Sequence, residues 1–282
     1  EKMKVFVSTS WVFNNLKSKK LIIFDCSWHM PSENRNAYKD YKNKHIKNAA
    51  FFDIDKIANN KTKLPHMLPS KTKFENIIRK FGVKNDSLIV LYDTKGIFSS
   101  PRVWWTFKYF GHKKVYVMNG GFKKWLLEKK PTTKKIYTYK KGNFKAKINT
   151  SIKTDKNFIL KNLNNKKITI LDARNKDRFN GIAIEPRINL RSGHIPNSKN
   201  LFWKKLITSK GTMKTKNEIS KIIKKVKINK KNIIISSCGS GITACIISLV
   251  MFKNYNINCK VYDGSWVEWG MKKNLPIEKK YD

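Results

Sequence analysis

The sequence predicts an α/β protein built as two tandem domains, each a parallel sheet with helices on both faces. Three observations carry that expectation. Short apolar strands alternate with helical patterns along the whole chain, the pattern is stated twice, and in the second copy one buried-looking strand runs straight into a glycine-rich loop and a new apolar helix.

The repeat is read element by element. Leu21-Ile22-Ile23-Phe24-Asp25 is matched by Ile168-Thr169-Ile170-Leu171-Asp172, both strands ending in aspartate. Lys44-His45-Ile46-Lys47-Asn48-Ala49 is matched by Gly193-His194-Ile195-Pro196-Asn197-Ser198, and Leu88 to Asp93 by Ile233 to Cys238. Asn119-Gly120-Gly121-Phe122-Lys123-Lys124-Trp125 is matched by Asp263-Gly264-Ser265-Trp266-Val267-Glu268-Trp269. The matched pieces lie about 145 residues apart, which places domains at 1–130 and 151–282 with a polar, lysine-rich linker at 131–150. Helical patterns are expected over Thr72 to Phe81 and Lys216 to Val226.

Within the second copy, Ile233-Ile234-Ile235 suits a strand buried on both faces, and Ala244 through Phe252 a helix covered by its own domain. Cys238 then falls at the carboxyl end of a strand, where open α/β sheets bind ligands. Gly239 and Gly241 let the backbone turn so that N–H groups converge in front of the following helix, a setting that favours an anion and makes Cys238 a candidate nucleophile. The first copy has Asp93 at the matching position, so one domain alone can use a thiolate from there.

A chain of 282 residues with 40% hydrophobic residues and eight Trp buries real cores and is not disordered. Its 61 Lys+Arg against 19 Asp+Glu give +42, a balance that ordinarily points to nucleic acid or an anionic membrane. Lysine, asparagine and isoleucine are spread everywhere, however, while arginine is confined to Arg35, Arg79, Arg102, Arg174, Arg178, Arg187 and Arg191, a pattern expected of an A+T-rich genome. Cys26, Cys238, Cys245 and Cys259 form no CxxC pair and no metal spacing, so no disulfide framework, metal or other cofactor is expected. With no secretory signal legible and the apolar stretch Ile233 to Phe252 broken by glycines, a cytoplasmic protein without a membrane span is expected.

These residues resemble the rhodanese family in its two-domain form, with a single active cysteine. The similarity rests on Cys-Gly-Ser-Gly-Ile-Thr at 238 to 243, Gly-His-Ile-Pro at 193 to 196 and Tyr262 to Gly270 in the second half. In the first half it rests on Phe51 to Asp55, His66-Met67-Leu68-Pro69 and Ser100 to Trp105. The resemblance implies sulfur transfer. Family members acting on thiosulfate place basic side chains directly after the cysteine, whereas Gly239 and Ser240 are uncharged and look like the loop of enzymes that act on 3-mercaptopyruvate.

The resemblance further implies a persulfide on Cys238, held by the loop Gly239, Gly241, Ile242 and Thr243, then passed to a small thiol, a dithiol protein such as thioredoxin, or cyanide. Arg178 and Arg187 match the family's substrate-clamping arginines, a role that suits a planar, bidentate donor better than lysine. Ser240, His66 and Asp55 match a serine, histidine and aspartate that handle the proton. His194 is expected to bond backbone in its turn, Arg191 to brace the same turn, and Arg35 and Arg79 to form surface ion pairs.

Of two rival classes, the first is rejected. A phosphatase of related fold needs an arginine six residues after the cysteine, where this chain has Ala244. A basic nucleic-acid-binding module needs lysines interleaved with exposed aromatics, whereas Trp104, Trp105, Trp266 and Trp269 lie in apolar runs; no specific nucleic-acid or membrane partner is expected.

Overall fold

The computed structural model describes residues 4–280. Their backbone divides into two compact units, one made of 4–60, 68–149 and 207–213, the other of 61–67, 150–206 and 214–280.

Unit 1 holds a five-stranded parallel sheet in the order Phe6–Val7, Val115–Met118, Leu88–Tyr92, Leu21–Asp25, Ala49–Phe51. Its strands read as near-continuous apolar runs because both faces are covered. Alternate residues Ile23, Val90 and Tyr92 join Val7, Val12, Met118, Phe122 and Trp125 in one core. On another side, Phe24 packs on Phe52 and Phe107, and Phe107 on Phe74, ring against ring.

Unit 2 repeats the topology: Lys153–Thr154, Lys260–Tyr262, Ile233–Ser237, Ile168–Asp172, Lys199–Asn200, again all parallel. Ile159, Ile170, Ile235, Tyr262, Trp266 and Trp269 form its main core. In each unit the strand that enters the critical loop is the central one, and the residue directly after it is Asp93 or Cys238. The helix Ala244–Tyr255 is buried from Ala244 to Phe252, which is why its sequence is apolar on every side. Ile233 departs from the expected double burial: it begins the strand and is 45% exposed, while Ile234 and Ile235 are buried.

The helices expected from the pattern run Lys71–Lys80 and Lys216–Lys225. Each starts at a hydroxyl cap, Ser70 or Thr215, whose side chain accepts an N–H of the first turn. Thr215 and Glu218 complete a capping box.

The stretch read as a linker packs on unit 1 as a strap. Thr132–Thr133 pairs antiparallel with His45–Ile46, Gly142 N–H donates to Arg79 O, and Lys147 N–H to Phe110 O. Phe144 is fully buried and meets Phe74 edge-on. Arg79 takes part in this packing. Its Nε donates to Phe144 O at 2.8 Å while Nη2 meets Glu75, so it is more than the surface ion pair expected; Arg35 does pair with Asp40 on the surface. A lysine-rich composition therefore concealed a few apolar anchors spaced closely enough to tie the strap down.

Candidate active site

Cys238 leaves the central strand of unit 2 and is 2% exposed. Its sulfur accepts the Gly241 N–H at 3.1 Å. Gly241 stands at φ +83°, a region that costs an ordinary L residue about 1–2 kcal/mol, and that turn is what points its N–H back at the sulfur. Gly239 has no such backbone demand. A Cβ there would lie 3.0 Å from Arg178 Nη2, so what limits the side chain at this position is the arginine packed against the loop rather than the turn.

The loop is also held from beneath by the segment that starts the helix Ser265–Met271. Cys238 N–H donates to Ser265 Oγ at 3.1 Å, Ser265 Oγ donates to Tyr262 O at 2.8 Å, and the same Oγ lies 4.0 Å from the Cys238 sulfur. Trp266 N–H donates to Cys238 O and Val267 N–H to Gly239 O, both at 2.9 Å. The backbone of the nucleophile is thus fixed on both sides while its sulfur accepts the Gly241 N–H.

Burial acts on two of the other cysteines. It pushes the Cys26 thiol well above its ordinary value and the Cys259 thiol up to about 12, which keeps both protonated and inert at neutral pH. Cys245 is buried with its S–H aimed at Gly241 O.

Arg178 is the third residue of the short helix Lys176–Asn180, whose cap Asn175 accepts the Arg178 N–H. Its Nε donates to Glu185 Oε1 at 3.1 Å and its Nη2 to Glu185 Oε2 at 2.6 Å. Arg187 lies on the following loop, half-buried. Ser240, Ile242 and the loop glycines lie with Cys238 in unit 2, and Thr243 begins the helix as its cap residue.

His66 belongs to the 61–67 segment of the same compact unit. It is 5% exposed, stands at φ +62°, and its Nδ1 lies 3.2 Å from the main-chain oxygen of Ser240. A carbonyl only accepts, so Nδ1 carries the proton of this contact. The bond joins the ring to the loop backbone. Asp55 lies in unit 1, in the short helix Ile54–Ile57, and accepts from Trp28 Nε1 at 3.1 Å.

Two neighbouring residues do other work. His194 Nδ1 bonds Phe179 O at 2.6 Å, its ring stacks on Phe179, and burial lowers its pKa. Arg191 serves the carbonyls of Trp269, Gly270, Lys272 and Leu275, so it ties down the end of the Ser265–Met271 helix where the turn at 193–196 had been expected.

Unit 1 shows what the same loop becomes without a thiol. Asp93 Oδ2 accepts the N–H groups of Phe98, Ser99 and Ser100 at 2.9–3.0 Å and the Ser100 hydroxyl at 2.7 Å, while Oδ1 takes Lys95 N–H. A built-in carboxylate has absorbed the donors. Sequence reasoning missed Ser265, Glu185 and Arg174, the last of which pairs with Asp172. Their signals were present as Asp172-Ala173-Arg174, Glu185-Pro186-Arg187 and Gly264-Ser265-Trp266, but nothing local says which of these polar groups is buried. Among the described residues no cluster of three His, Cys, Asp or Glu could hold a metal ion, and no helix is long and apolar enough to cross a membrane.

The fold and site define a two-unit α/β protein with one thiol held at the carboxyl end of the central strand of one sheet. The rhodanese-like domain family matches residues 8–128 and again 155–272, and the chain belongs to that family. It is 38% identical to the 3-mercaptopyruvate sulfurtransferase of Rattus norvegicus over 95% of this chain and 93% of the relative. It is 36% identical to the mitochondrial thiosulfate/3-mercaptopyruvate sulfurtransferase 1 of Arabidopsis thaliana, over 96% and 77%. Among solved structures it resembles SseA of Escherichia coli, described in the context of 3-mercaptopyruvate sulfotransferases, with a TM-score of 0.86 and 32% identity over 93% of this chain and 99% of that one.

Proposed function

We propose that this protein is a sulfurtransferase that takes sulfur from 3-mercaptopyruvate onto Cys238 and releases pyruvate. The observation that carries the reading is a thiol held by the Gly241 N–H, followed by an uncharged Gly239-Ser240 pair, with the Arg178 guanidinium packed on that glycine. Thiosulfate as donor is the second reading, favoured by the name of the plant relative and opposed by the absence of a basic side chain at positions 239 and 240.

The Cys238 thiolate attacks the substrate sulfur, forming the S–S bond as the C–S bond breaks. The electron pair of that bond goes to carbon as the enolate of pyruvate, and the proton that left the substrate thiol ends on the methyl group. Cys238 keeps the added sulfur as a persulfide. Arg178 and Arg187 hold the carboxylate and ketone, in positions where charge-assisted bonds contribute about 1.5–3 kcal/mol each. Ser240, His66 and Asp55 handle the proton. The loop of Gly239, Gly241, Ile242 and Thr243 holds the anionic persulfide until a small thiol, a dithiol protein or cyanide accepts the sulfur. The setting is cytoplasmic and reducing, with nucleic acid bound through charge alone.

The test compares steady-state turnover of 3-mercaptopyruvate with thiosulfate and locates the sulfur by mass spectrometry. An adduct of about 32 Da, one sulfur atom, is expected on Cys238 and is lost with Cys238→Ser. An adduct on Cys26, Cys245 or Cys259, or faster turnover of thiosulfate, overturns the reading.

A further inference from the structure

Arg178 has no fixed place by virtue of its own chain. It is a long, flexible side chain on a helix of five residues, 18% exposed at its side chain, yet its guanidinium lies so close to Gly239 that a methyl group there would have to displace it by a few tenths of an ångström. What holds it is Glu185, whose side chain is 1% exposed and accepts from both Arg178 Nε and Nη2.

Glu185 is itself held by a further arginine. Its Oε1 also accepts Arg174 Nη1 at 2.8 Å. Arg174 is locked four further ways: Nε and Nη2 fork onto Asp172, Nη2 reaches Gly193 O, and the guanidinium lies 4.6 Å from the centroid of Trp266. The chain Asp172, Arg174, Glu185, Arg178 therefore runs from the end of a core strand to the face of the cysteine loop, with two charges of each sign. Full pairing is what lets such charges be buried.

Unit 1 builds the same sheet without this chain. There the strand-ending aspartate is Asp25, and two residues on stands Ser27 in place of an arginine, bonded to Asp25 by both its N–H and its hydroxyl. The fold does not need the arginine–glutamate chain. It is present in the unit that carries the thiol.

We propose that Glu185 is a positioning residue that fixes the Arg178 guanidinium against the cysteine loop, so that the clamp is assembled before the substrate arrives. The proposal rests on the reading of Arg178 as part of the substrate clamp. A preset guanidinium spares the substrate the ordering of a four-carbon side chain, so loss of Glu185 raises KM rather than lowering the rate of the bound complex.

The test uses the full chain with Glu185→Gln, Arg178→Ala and the double variant. Glu185→Gln is expected to raise KM for 3-mercaptopyruvate about tenfold with kcat within about twofold, and to add nothing further in the Arg178→Ala background. Additive effects, or a fall in kcat with KM unchanged, overturn the proposal in favour of a merely structural salt bridge. Glu185→Asp keeps the buried charge that Arg174 needs but shortens the reach, and serves if the glutamine variant folds poorly; it is expected to raise KM in the same non-additive way. The Arg178 Nε–H resonance, which needs no substrate, separates this proposal from the choice of substrate. It should be protected from exchange in the wild type and lose protection in Glu185→Gln; equal protection in both proteins removes the positioning role whichever donor the enzyme uses.

Discussion

Asp25 gives unit 1 a dependence on pH. The carboxyl is fully buried at the end of the Leu21–Asp25 strand, and burial is the main cause that raises it from 3.8 to about 7. Hydrogen bonds from Ser27 and Tyr92 pull the other way, and Asp93 adds to the rise. Asp172 is instead forked onto Arg174. A folded-state value above the unfolded one means that the native state binds the extra proton, so this contribution is fully present below about pH 4 and is lost as pH rises through about 7. A difference of about three pH units at about 1.4 kcal/mol each sets a ceiling of about 4 kcal/mol on the loss. His112, also in unit 1, acts in the opposite sense because burial lowers its pKa and its neutral form is favoured as pH rises. The test is therefore the difference between wild type and Asp25→Asn, followed by hydrogen exchange of peptides covering the Leu21–Asp25 and Leu88–Tyr92 strands between pH 5 and 8. The wild type should lose about 2–3 kcal/mol of protection relative to the variant across that range, the rest of the ceiling of about 4 falling below pH 5. Parallel profiles for the two proteins would refute a buried, uncompensated carboxyl at this position.

Ser240→Ala and His66→Ala should each lower kcat for 3-mercaptopyruvate by about 10², with thiosulfate activity less affected by Ser240→Ala because thiosulfate brings no proton on its transferable sulfur; unchanged turnover would end the proton-handling assignment. Gly239→Ala places a Cβ 3.0 Å from a guanidinium pinned by Glu185, and should raise KM for 3-mercaptopyruvate about fivefold with little change in melting temperature. An unchanged KM would show that Arg178 can yield without cost. Ser265→Ala leaves the buried Cys238 N–H without its acceptor, at a cost of about 1–3 kcal/mol, read as lost hydrogen-exchange protection over 236–243; full protection would remove Ser265 from the support of the loop.

What the sequence determined by itself was whatever is written in local pattern. The paired strands at Leu21 and Ile168, and at Leu88 and Ile233, could be aligned because a strand covered on both faces must be apolar along its length. Cys238 stood out because it lies between an apolar strand pattern and an apolar helical run, followed at once by a glycine-rich loop. Tertiary structure decided the rest, because it depends on which polar groups lose their water. Burial drove Lys-rich residues 131–149 onto unit 1 through Phe144, assigned the segment around His66 to unit 2, and made Gly239 a matter of room for Arg178. It also separated two aspartates at matching strand ends: Asp172 met an arginine two residues on, and Asp25 met a serine, which can donate a hydrogen bond but cannot neutralise a buried charge.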